Sequence, residues 1–499
     1  MKNLDVVILG AGMSGLCMAI KLREAGISNF EIIEKNSEVG GTWHENTYPG
    51  ACCDVPAALY SFSFEPNPDW SRTYSPQLEI KRYFQHCADK YALRPHIRFN
   101  CEAVSADYQQ EGHWLITLAN GEQLRSRILI SGIGQLNRPN IPHFAGAEQF
   151  TGQTFHSARW RHDLDFKGKR IAVIGSAASA IQLIPVVVLE GGEADDIIGT
   201  LAKQAEKVYV YQRSASYIIP REDRAYSTGA KRLFRNQPWT QKLLRLFYYL
   251  RQDYFTFGAM LVGSLRGKII NVIFKKYLKA SISDPELREL LRPNYPLGCK
   301  RILVSDDFYD AFENYNAELV TSAIQGMDSE GVLTNDGIQR PVDVIVYATG
   351  FKATDFLVPL IVHGENGIDL NTVWRNGAEA HRGVALAGFP NFYMLYGPNT
   401  NLGHSSIIYM VEKQVGYLMQ CITKTLKEDL RSLQPTAVAQ QAFNKRMQDA
   451  LADTVWGGDC GSWYKNESGK IINNWPYNTT RFGREMKTVD FDEYRQERG

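Results

Sequence analysis

Three glycines near the start of the chain have the spacing of a turn that binds a dinucleotide. Gly10, Gly12 and Gly15 directly follow a short apolar run, and a helical pattern comes after them. In such a turn the first glycine makes the tight bend, the second lets the backbone reach a pyrophosphate, and the third allows close helix packing. Glu34 ends the next apolar run, where a carboxylate accepts from ribose hydroxyls and repels a 2′-phosphate. These residues predict a site for FAD or NAD rather than NADP.

A second turn of this kind begins at Gly175, after the strand pattern of 169–174. Two of its glycines are replaced by alanine, so the match is weak when taken alone. The next predicted strand ends near Arg213, at the place where the first unit has Glu34. A cation there can pair with a 2′-phosphate, which favours NADPH. The alternative is a solvated arginine at a strand end.

The stretch 40–54 combines two glycines, a tryptophan, the Tyr-Pro-Gly turn at 48–50 and the acid Asp54. Glycine permits positive φ and close approach, and proline fixes the turn. The pattern predicts backbone lying along a flat ligand with a carboxylate held beside it. An ordinary loop between two elements is the simpler interpretation.

The two strand–turn–helix–strand patterns predict an α/β fold with two Rossmann-like dinucleotide-binding domains and a helical insertion. The expected division of the chain is 1–145 (first part of the FAD-binding domain), 146–221 (first part of the NADPH-binding domain), 222–294 (helical lid or insertion), 295–380 (second part of the NADPH-binding domain) and 381–499 (second part of the FAD-binding domain and a C-terminal loop).

The insertion is rich in apolar and basic residues at helical spacing, especially over 241–282. We interpret it as a lid over a cleft. The alternative is weak peripheral contact with a membrane, because basic amphipathic helices lie on membrane surfaces. No apolar run reaches the length of about 18–20 residues that spans a bilayer. The segment 186–201 looks like a surface insertion.

Composition excludes several function classes. A net charge of +1 gives no electrostatic reason for nucleic acid as the main partner. The eight cysteines form no CxxC pair or Cys/His cluster with metal spacing, so neither a metal site nor a dithiol redox motif is expected. Cysteine is also too sparse in a chain of 499 residues for a disulfide framework to be expected. The first residues run directly into a strand pattern without space for a signal peptide, and we therefore expect a cytoplasmic protein.

Two nucleotide sites of these kinds imply that NADPH gives a hydride to a flavin. A disulfide reductase would then need a redox cysteine pair, but Cys52 and Cys53 are adjacent, and neighbouring cysteines rarely form disulfides. Reaction of the reduced flavin with oxygen is the remaining strong option.

Two longer motifs support that option. The segment 150–160 matches the pattern FxGxxxHxxxW with Phe150, Gly152, His156 and Trp160, and 40–54 matches a pattern that runs from GGxW through YPGxxxD. With these motifs the chain resembles the flavin-containing monooxygenases and, within them, the Baeyer–Villiger monooxygenases. The resemblance covers most of the chain and is weakest across 186–201 and the helical insertion. Arg161 departs from the family, which usually has Pro or Asp after the tryptophan.

The resemblance implies an NADPH- and O2-dependent enzyme that converts ketones to esters or lactones, with a sulfide as a further substrate class. In such enzymes a flavin C4a-peroxide is kept as an anion by a neighbouring cation. The resemblance assigns that catalytic role, at the peroxide and the Criegee intermediate, to Arg301, with Asp54 orienting it. Lys300 is expected to contact the NADP phosphate together with Arg213, and His156 to belong to an interdomain hinge.

The residues expected to bind the two cofactors are Gly10, Gly12, Gly15, Glu34, Lys35, Gly41, Thr42, Trp43, Tyr48, Asp54, Tyr60, Gly175, Ser176, Ala177, Ser179, Arg213, Ser214, Lys300, Ala348, Thr349 and Gly350. One alternative function is oxygenation at nitrogen or sulfur, which does not require the pair of Arg301 and Asp54. An NADPH oxidase or a redox-controlled flavin-binding module is an alternative from another class.

Overall fold

A computed structural model describes residues 2–189, 205–458, 464–466 and 468–498. The strands, numbered along the chain, are β1 (Lys2–Leu9), β2 (Phe30–Ile33), β3 (Ile97–Arg98), β4 (Ala103–Gln109), β5 (His113–Leu118), β6 (Gln123–Ser131), β7 (Gln153–His156), β8 (Arg170–Ile174), β9 (Lys207–Tyr211), β10 (Ile218–Ile219), β11 (Leu303–Val304), β12 (Ala317–Val320), β13 (Ile324–Met327), β14 (Gly331–Thr334), β15 (Gln339–Pro341), β16 (Val344–Tyr347), β17 (Ile361–His363), β18 (Phe392–Met394), β19 (Leu430–Pro435) and β20 (Tyr494–Arg498).

The α-helices, also numbered along the chain, are α1 (Met13–Glu24), α2 (Thr42–Glu45), α3 (Gln77–Lys90), α4 (Ala178–Val188), α5 (Thr228–Asn236), α6 (Pro238–Leu250), α7 (Leu265–Ser281), α8 (Pro285–Leu290), α9 (Leu370–Val373), α10 (Ile407–Lys427), α11 (Ala437–Ala452) and α12 (Thr479–Glu485). A π-helical segment, Arg251–Thr256, continues α6.

The first sheet has a parallel core in the order β3, β2, β1, β6 and β18. Residues 6–9 of β1 are almost completely buried because their side chains alternate between two core clusters, one on each face of the sheet. On one face α1 packs against α10. The antiparallel strands β4 and β5 extend the sheet from β6, and β17 pairs with β4.

The second sheet is entirely parallel, with the order β12, β9, β8, β16 and β7. Helix α4 follows β8 and buries its apolar side chains in the core of this unit. Each sheet thus carries its own strand–turn–helix unit, β1–α1 in the first and β8–α4 in the second. The predicted α/β fold class with two such units is confirmed, while the domain limits stay a prediction.

Helices α5 to α8 form an insertion between β10 and β11, which pair in parallel and close it. Asp253, in the π-helical segment, is completely buried and fixes this insertion to the N-terminus of α12. Its carboxylate accepts from the amide and hydroxyl of Thr479 at 2.5 and 2.6 Å, and from those of Thr480 at 3.2 and 2.6 Å. His404 Nε2 lies 3.9 Å from the same carboxylate.

In the part of the chain that the structure describes, no helix combines the length and the apolar character needed to cross a bilayer. Most of the predicted surface segment 186–201 lies outside the described residues, as do Cys460 and Trp463. Cys299 is disulfide-bonded, which the cysteine spacing did not indicate. Cys52 and Cys53 carry free thiols.

Candidate active site

The backbone geometry of the first turn requires glycine at two of its positions. Gly10 has a φ of +97°, and a Cβ on Gly15 would lie only 1.9 Å from the carbonyl oxygen of Gly10. Any side chain at residue 15 would therefore push α1 away from β1. Gly12 precedes α1, and no side chain caps the N-terminus of that helix. Unpaired helical N–H groups at such an end favour an anion.

Glu34 lies at the end of β2 and is 4% exposed. Its carboxylate accepts from the backbone N–H groups of Ala11 at 2.7 Å and Asn36 at 2.8 Å. Burial raises its pKa, and these two hydrogen bonds act in the opposite direction. The acid is thus fixed beside the glycine turn, as its predicted role on a ribose requires.

The second turn keeps the same backbone path although it contains fewer glycines. Gly175 has a φ of +121°, and a Cβ there would meet the carbonyl oxygen of Ala348 at 2.3 Å. Ala177 precedes α4 with φ −92° and ψ −167°, close to the values of −75° and −173° at Gly12. Since this conformation has negative φ, alanine adopts it without strain. Helix α4 also begins without a side-chain cap.

Two cations and a serine lie together beside the second turn. Lys300 Nζ donates to Ser214 Oγ at 2.9 Å and lies 4.5 Å from the ring centre of Tyr295. Burial lowers the pKa of Lys300, and the charge of the exposed Arg213 lowers it further. Among the described residues, neither cation forms an ion pair with an acid. Two neighbouring like charges without a counterion favour an anionic ligand between them.

The stretch 40–54 joins the two units. A Cβ on Gly41 would lie 3.1 Å from the Cα of Gly12, so this stretch runs directly past the first turn. Trp43 Nε1 donates to the hydroxyl of Tyr60 at 3.1 Å. Further along, a Cβ on Gly50 would lie 2.2 Å from the carbonyl oxygen of Gln182 in α4 of the second unit.

Gln182 binds the loop at the start of the Tyr-Pro-Gly turn and again two residues after its end. Its Oε1 accepts from the Tyr48 hydroxyl at 2.8 Å and from the Cys52 amide at 3.4 Å, and its Nε2 donates to the Cys52 carbonyl at 3.1 Å. A glutamine from the second unit therefore positions the loop that leads to Asp54.

Asp54 and Arg301 form an ion pair although 247 residues separate them. Arg301 Nη2 lies 2.7 Å from Oδ1 and 2.6 Å from Oδ2 of Asp54. The side chains are 34% and 23% exposed, respectively. Burial lowers the pKa of Arg301, but the Asp54 carboxylate, with Tyr464 and Tyr396 nearby, raises it to a net value above the usual one. The guanidinium is therefore charged at every physiological pH.

One cavity of about 1250 Å³ extends from the first turn to the second and includes this ion pair. Of the residues predicted to bind cofactors or act in catalysis, those that line it are Gly10, Gly12, Glu34, Lys35, Gly41, Thr42, Trp43, Tyr48, Asp54, Tyr60, Gly175, Ser176, Ala177, Ser179, Arg213, Ser214, Lys300, Arg301, Ala348, Thr349 and Gly350. Gly15 is not in the lining, because its place is the contact between α1 and β1. No residue of 222–294 lines this cavity either, so the lining does not support the interpretation of the insertion as a lid.

Comparison with known proteins decides the family. The family model for flavin-binding monooxygenase-like proteins matches residues 3–363. A Baeyer–Villiger monooxygenase of Streptomyces coelicolor is 39% identical over 99% of this chain and 92% of its own length. The chain belongs to the Baeyer–Villiger branch of the flavin-binding monooxygenase-like family. The predicted family and enzyme class are confirmed.

Solved structures of other monooxygenases have the same fold as this family member. Oxidized steroid monooxygenase bound to NADP is 28% identical, with a TM-score of 0.86 and complete coverage of both chains. OTEMO in complex with FAD and NADP is 25% identical, with a TM-score of 0.86 and 99% coverage of both chains. These are the two cofactors predicted from the glycine turns.

The family motif at 150–160 lies outside the cavity. His156 ends β7 and is 2% exposed; its Nε2 donates to the carbonyl of Gly350 at 2.9 Å, and its Nδ1 accepts from the Ala158 amide at 3.1 Å. A Cβ on Gly152 would lie 2.5 Å from the carbonyl oxygen of Asp343, and Trp160 stacks on Phe166. His156 thus connects the motif to a residue that lines the cavity. Its role as a hinge stays a prediction.

Several residues of this monooxygenase's site were not predicted. Gln182 is the one polar side chain of α4 after its first turn. A single polar residue in an otherwise apolar helix could have indicated a specific hydrogen-bond partner. Tyr396, at φ +61°, lines the cavity and donates to Asn401 Oδ1 at 2.6 Å. Arg221 donates to the sulfur of Cys52 at 2.8 Å. Burial raises the pKa of that thiol to about 11, so it stays protonated at neutral pH.

Proposed function

We propose that the protein binds FAD and NADPH and inserts one oxygen atom of O2 next to a ketone carbonyl, which gives an ester or a lactone. The observation that carries this proposal is the ion pair of Arg301 and Asp54 in a cavity that both nucleotide-binding turns line. The name of the Streptomyces coelicolor relative supports the same reaction.

The residues of the first unit fit FAD. Gly12 and Gly41 leave a narrow space between two backbones, and a side chain on either would fill it. The uncapped N-terminus of α1 offers N–H groups to a pyrophosphate, and the buried Glu34 carboxylate suits a ribose.

The residues of the second unit fit NADPH. The uncapped N-terminus of α4 offers N–H groups to its pyrophosphate. Arg213 and Lys300 are neighbouring cations, and the charge of Arg213 disfavours the charged form of Lys300. A 2′-phosphate would relieve this repulsion, which gives a physical reason for a preference of NADPH over NADH.

When bound, the two cofactors supply the hydride and the activation of oxygen. Arg301 supplies a permanent positive charge in the cavity, where negative charge develops on oxygen as it adds to a carbonyl carbon. Asp54 holds the guanidinium in place, and Gln182 in turn fixes the loop that carries Asp54. Because the guanidinium is held in one position by these contacts, its charge need reorganise little as negative charge develops on oxygen.

The test is the substitution Arg301→Ala, with Arg161→Ala as the control. Arg161 also pairs with an aspartate at 2.6 Å, but at the surface and outside the cavity lining. We expect NADPH to reduce the flavin of Arg301→Ala at the rate of the unsubstituted protein, while no ester forms from any member of a panel of linear, cyclic and aryl ketones. Products are identified by mass spectrometry.

Ester formation by Arg301→Ala at the full rate would refute the assigned role of Arg301. A sulfide in the same panel separates the alternatives. Sulfoxide without ester from the unsubstituted protein would identify an oxygenase of soft nucleophiles, and NADPH consumption with hydrogen peroxide as the only product would identify an oxidase.

A further inference from the structure

Helix α6 and its π-helical extension have an unusual orientation on the protein. Gln241 is the side chain of α6 that is buried, and it donates to the carbonyl of Asn67. Arg245, one turn later, donates to the carbonyls of Ala58 at 3.0 Å and Ser61 at 2.8 Å. The side of this helix that faces the protein thus carries Gln241 and Arg245, while Tyr248 and Tyr249 pack, partly buried, against the core of the first unit.

The apolar side of the same helix faces outward. Its exposed residues recur at helical spacing and are Trp239, Leu243, Leu246, Phe247, Leu250 and Tyr254. Trp239, Leu243 and Phe247 are each more than half exposed, at 58%, 55% and 57%. An amphipathic helix in a globular protein normally buries its apolar side, so this orientation indicates a surface that is covered by something other than the rest of the chain.

Helix α7 and the segment before it add to this exposed apolar surface. Ile270, Phe274 and Leu278 of α7 are buried, and the last two belong to the core of the second unit, so one side of the helix is covered. Further large apolar residues of this region are nevertheless exposed, namely Phe255, Leu261, Val262, Leu265, Ile269, Val272 and Ile273. Val262 and Leu265 reach 69% and 72% exposure.

The segment that contains these helices is strongly basic. Residues 228–281 contain eleven of the 55 Lys and Arg residues of the chain but only one of its 54 acids, and that acid is the buried Asp253. The other residues of the chain carry a net negative charge. The exposed Lys242, Lys268, Lys275 and Lys276 form no ion pair with any described acid.

We propose that α6, α7 and the segment between them form a surface that docks on a lipid bilayer with anionic headgroups. Exposed Trp, Leu and Phe would enter the boundary between headgroups and acyl chains, while the lysines pair with the headgroups. A second copy of this chain fits less well, because a symmetric interface would bring two strongly basic surfaces together. The proposal does not depend on the proposed reaction.

The experiment is co-sedimentation of the full-length holoprotein with vesicles of phosphatidylcholine, with and without phosphatidylglycerol. We expect binding only when phosphatidylglycerol is present, and weaker binding at higher salt. The triple substitution W239S/L243S/F247S should weaken binding at least tenfold. The double substitution K268E/K275E should weaken vesicle binding by about fivefold or more for each lysine that is replaced.

Matched controls use exposed residues elsewhere on the protein. Val438 is 77% exposed, and Lys445 is an exposed lysine of α11. The substitutions V438S and K445E should leave vesicle binding unchanged. All variants should keep their flavin content and melting temperature, which shows that they fold.

The proposal is overturned if the unsubstituted protein does not sediment with phosphatidylglycerol vesicles, or if the substitutions in α6 and α7 bind as well as the controls. It is also overturned if sedimentation velocity without lipid shows a dimer that W239S/L243S/F247S abolishes, since the surface would then bind a second copy.

Discussion

The substitution Asp54→Asn tests the ion pair more finely than removal of Arg301. Asparagine keeps the shape of the side chain but removes the charge that faces Arg301 Nη2 at 2.6–2.7 Å. The guanidinium remains charged but loses its charge-assisted partner, because the amide oxygen of asparagine accepts only a weaker hydrogen bond. We expect slower formation of ester from a ketone, with little change in reduction of the flavin by NADPH.

The magnitude follows from the strength of one hydrogen bond between charged groups. Such a bond is worth about 1.5–3 kcal/mol, and deep burial would increase the cost of losing it. The two side chains are 34% and 23% exposed, so the larger free-energy cost of breaking a deeply buried ion pair does not apply here. A loss of about 1.5–3 kcal/mol corresponds to a rate lower by about 10- to 150-fold.

The assay separates the two half-reactions. Stopped-flow absorbance under anaerobic conditions gives the rate of flavin reduction, and product analysis under air gives the rate of ester formation. Asp163→Asn is the control, since it removes the charge from an Arg–Asp pair of the same length at the surface. Full ester formation by Asp54→Asn would show that Asp54 does not position Arg301, and an equal loss in the control would show that the effect is not local.

Three further predictions concern the cofactor, the contact between units and the insertion. Arg213→Ala should raise the KM for NADPH about tenfold and leave that for NADH nearly unchanged, because one exposed charge-assisted phosphate contact is worth about 1.5 kcal/mol; steady-state kinetics with both cofactors check this. Gly50→Ala should lower the free energy of unfolding by about 1–3 kcal/mol more than Gly26→Ala in urea denaturation, since both have φ near +78° but only Gly50 meets another backbone. Burial raises the pKa of Asp253, but hydrogen bonds from the two threonines at the start of α12 and the nearby His404 lower it to a net value of about 2. Its contribution to stability is therefore complete above about pH 4 and is lost as the pH falls through 2, and Asp253→Asn should destabilise the protein at pH 7 and remove this part of the acid dependence of unfolding.

The sequence predicted those parts of the fold that depend on local sterics. The turn at Gly10 and Gly15 leaves no space for a side chain at either residue. Both positions must therefore be glycine, and the turn can be recognised from the sequence. The second turn was harder to recognise in the sequence. Ala177 adopts the required conformation with negative φ, so this position does not need a glycine.

Contacts between distant residues were harder to predict. The residues alone did not place Arg301 beside Asp54; the family resemblance did, because 247 residues separate the two. Gln182 and Asp253 gave only weak signals, since one polar residue in a helix has many potential partners. The outward apolar side of α6 was also unpredictable, because helical periodicity shows that two sides differ but not which of them faces the protein.

The three hydrogen bonds of Gln182 have a consequence for motion between the two units. Cys52 is held by α4 of the second unit, and Asp54 follows it by only two residues. A rotation of one sheet against the other must therefore either break these bonds or carry Asp54 along. The position of the Asp54 carboxylate beside Arg301 is therefore coupled to the relative orientation of the two units, through the Gln182 side chain and through the contact of Gly50 with the Gln182 backbone.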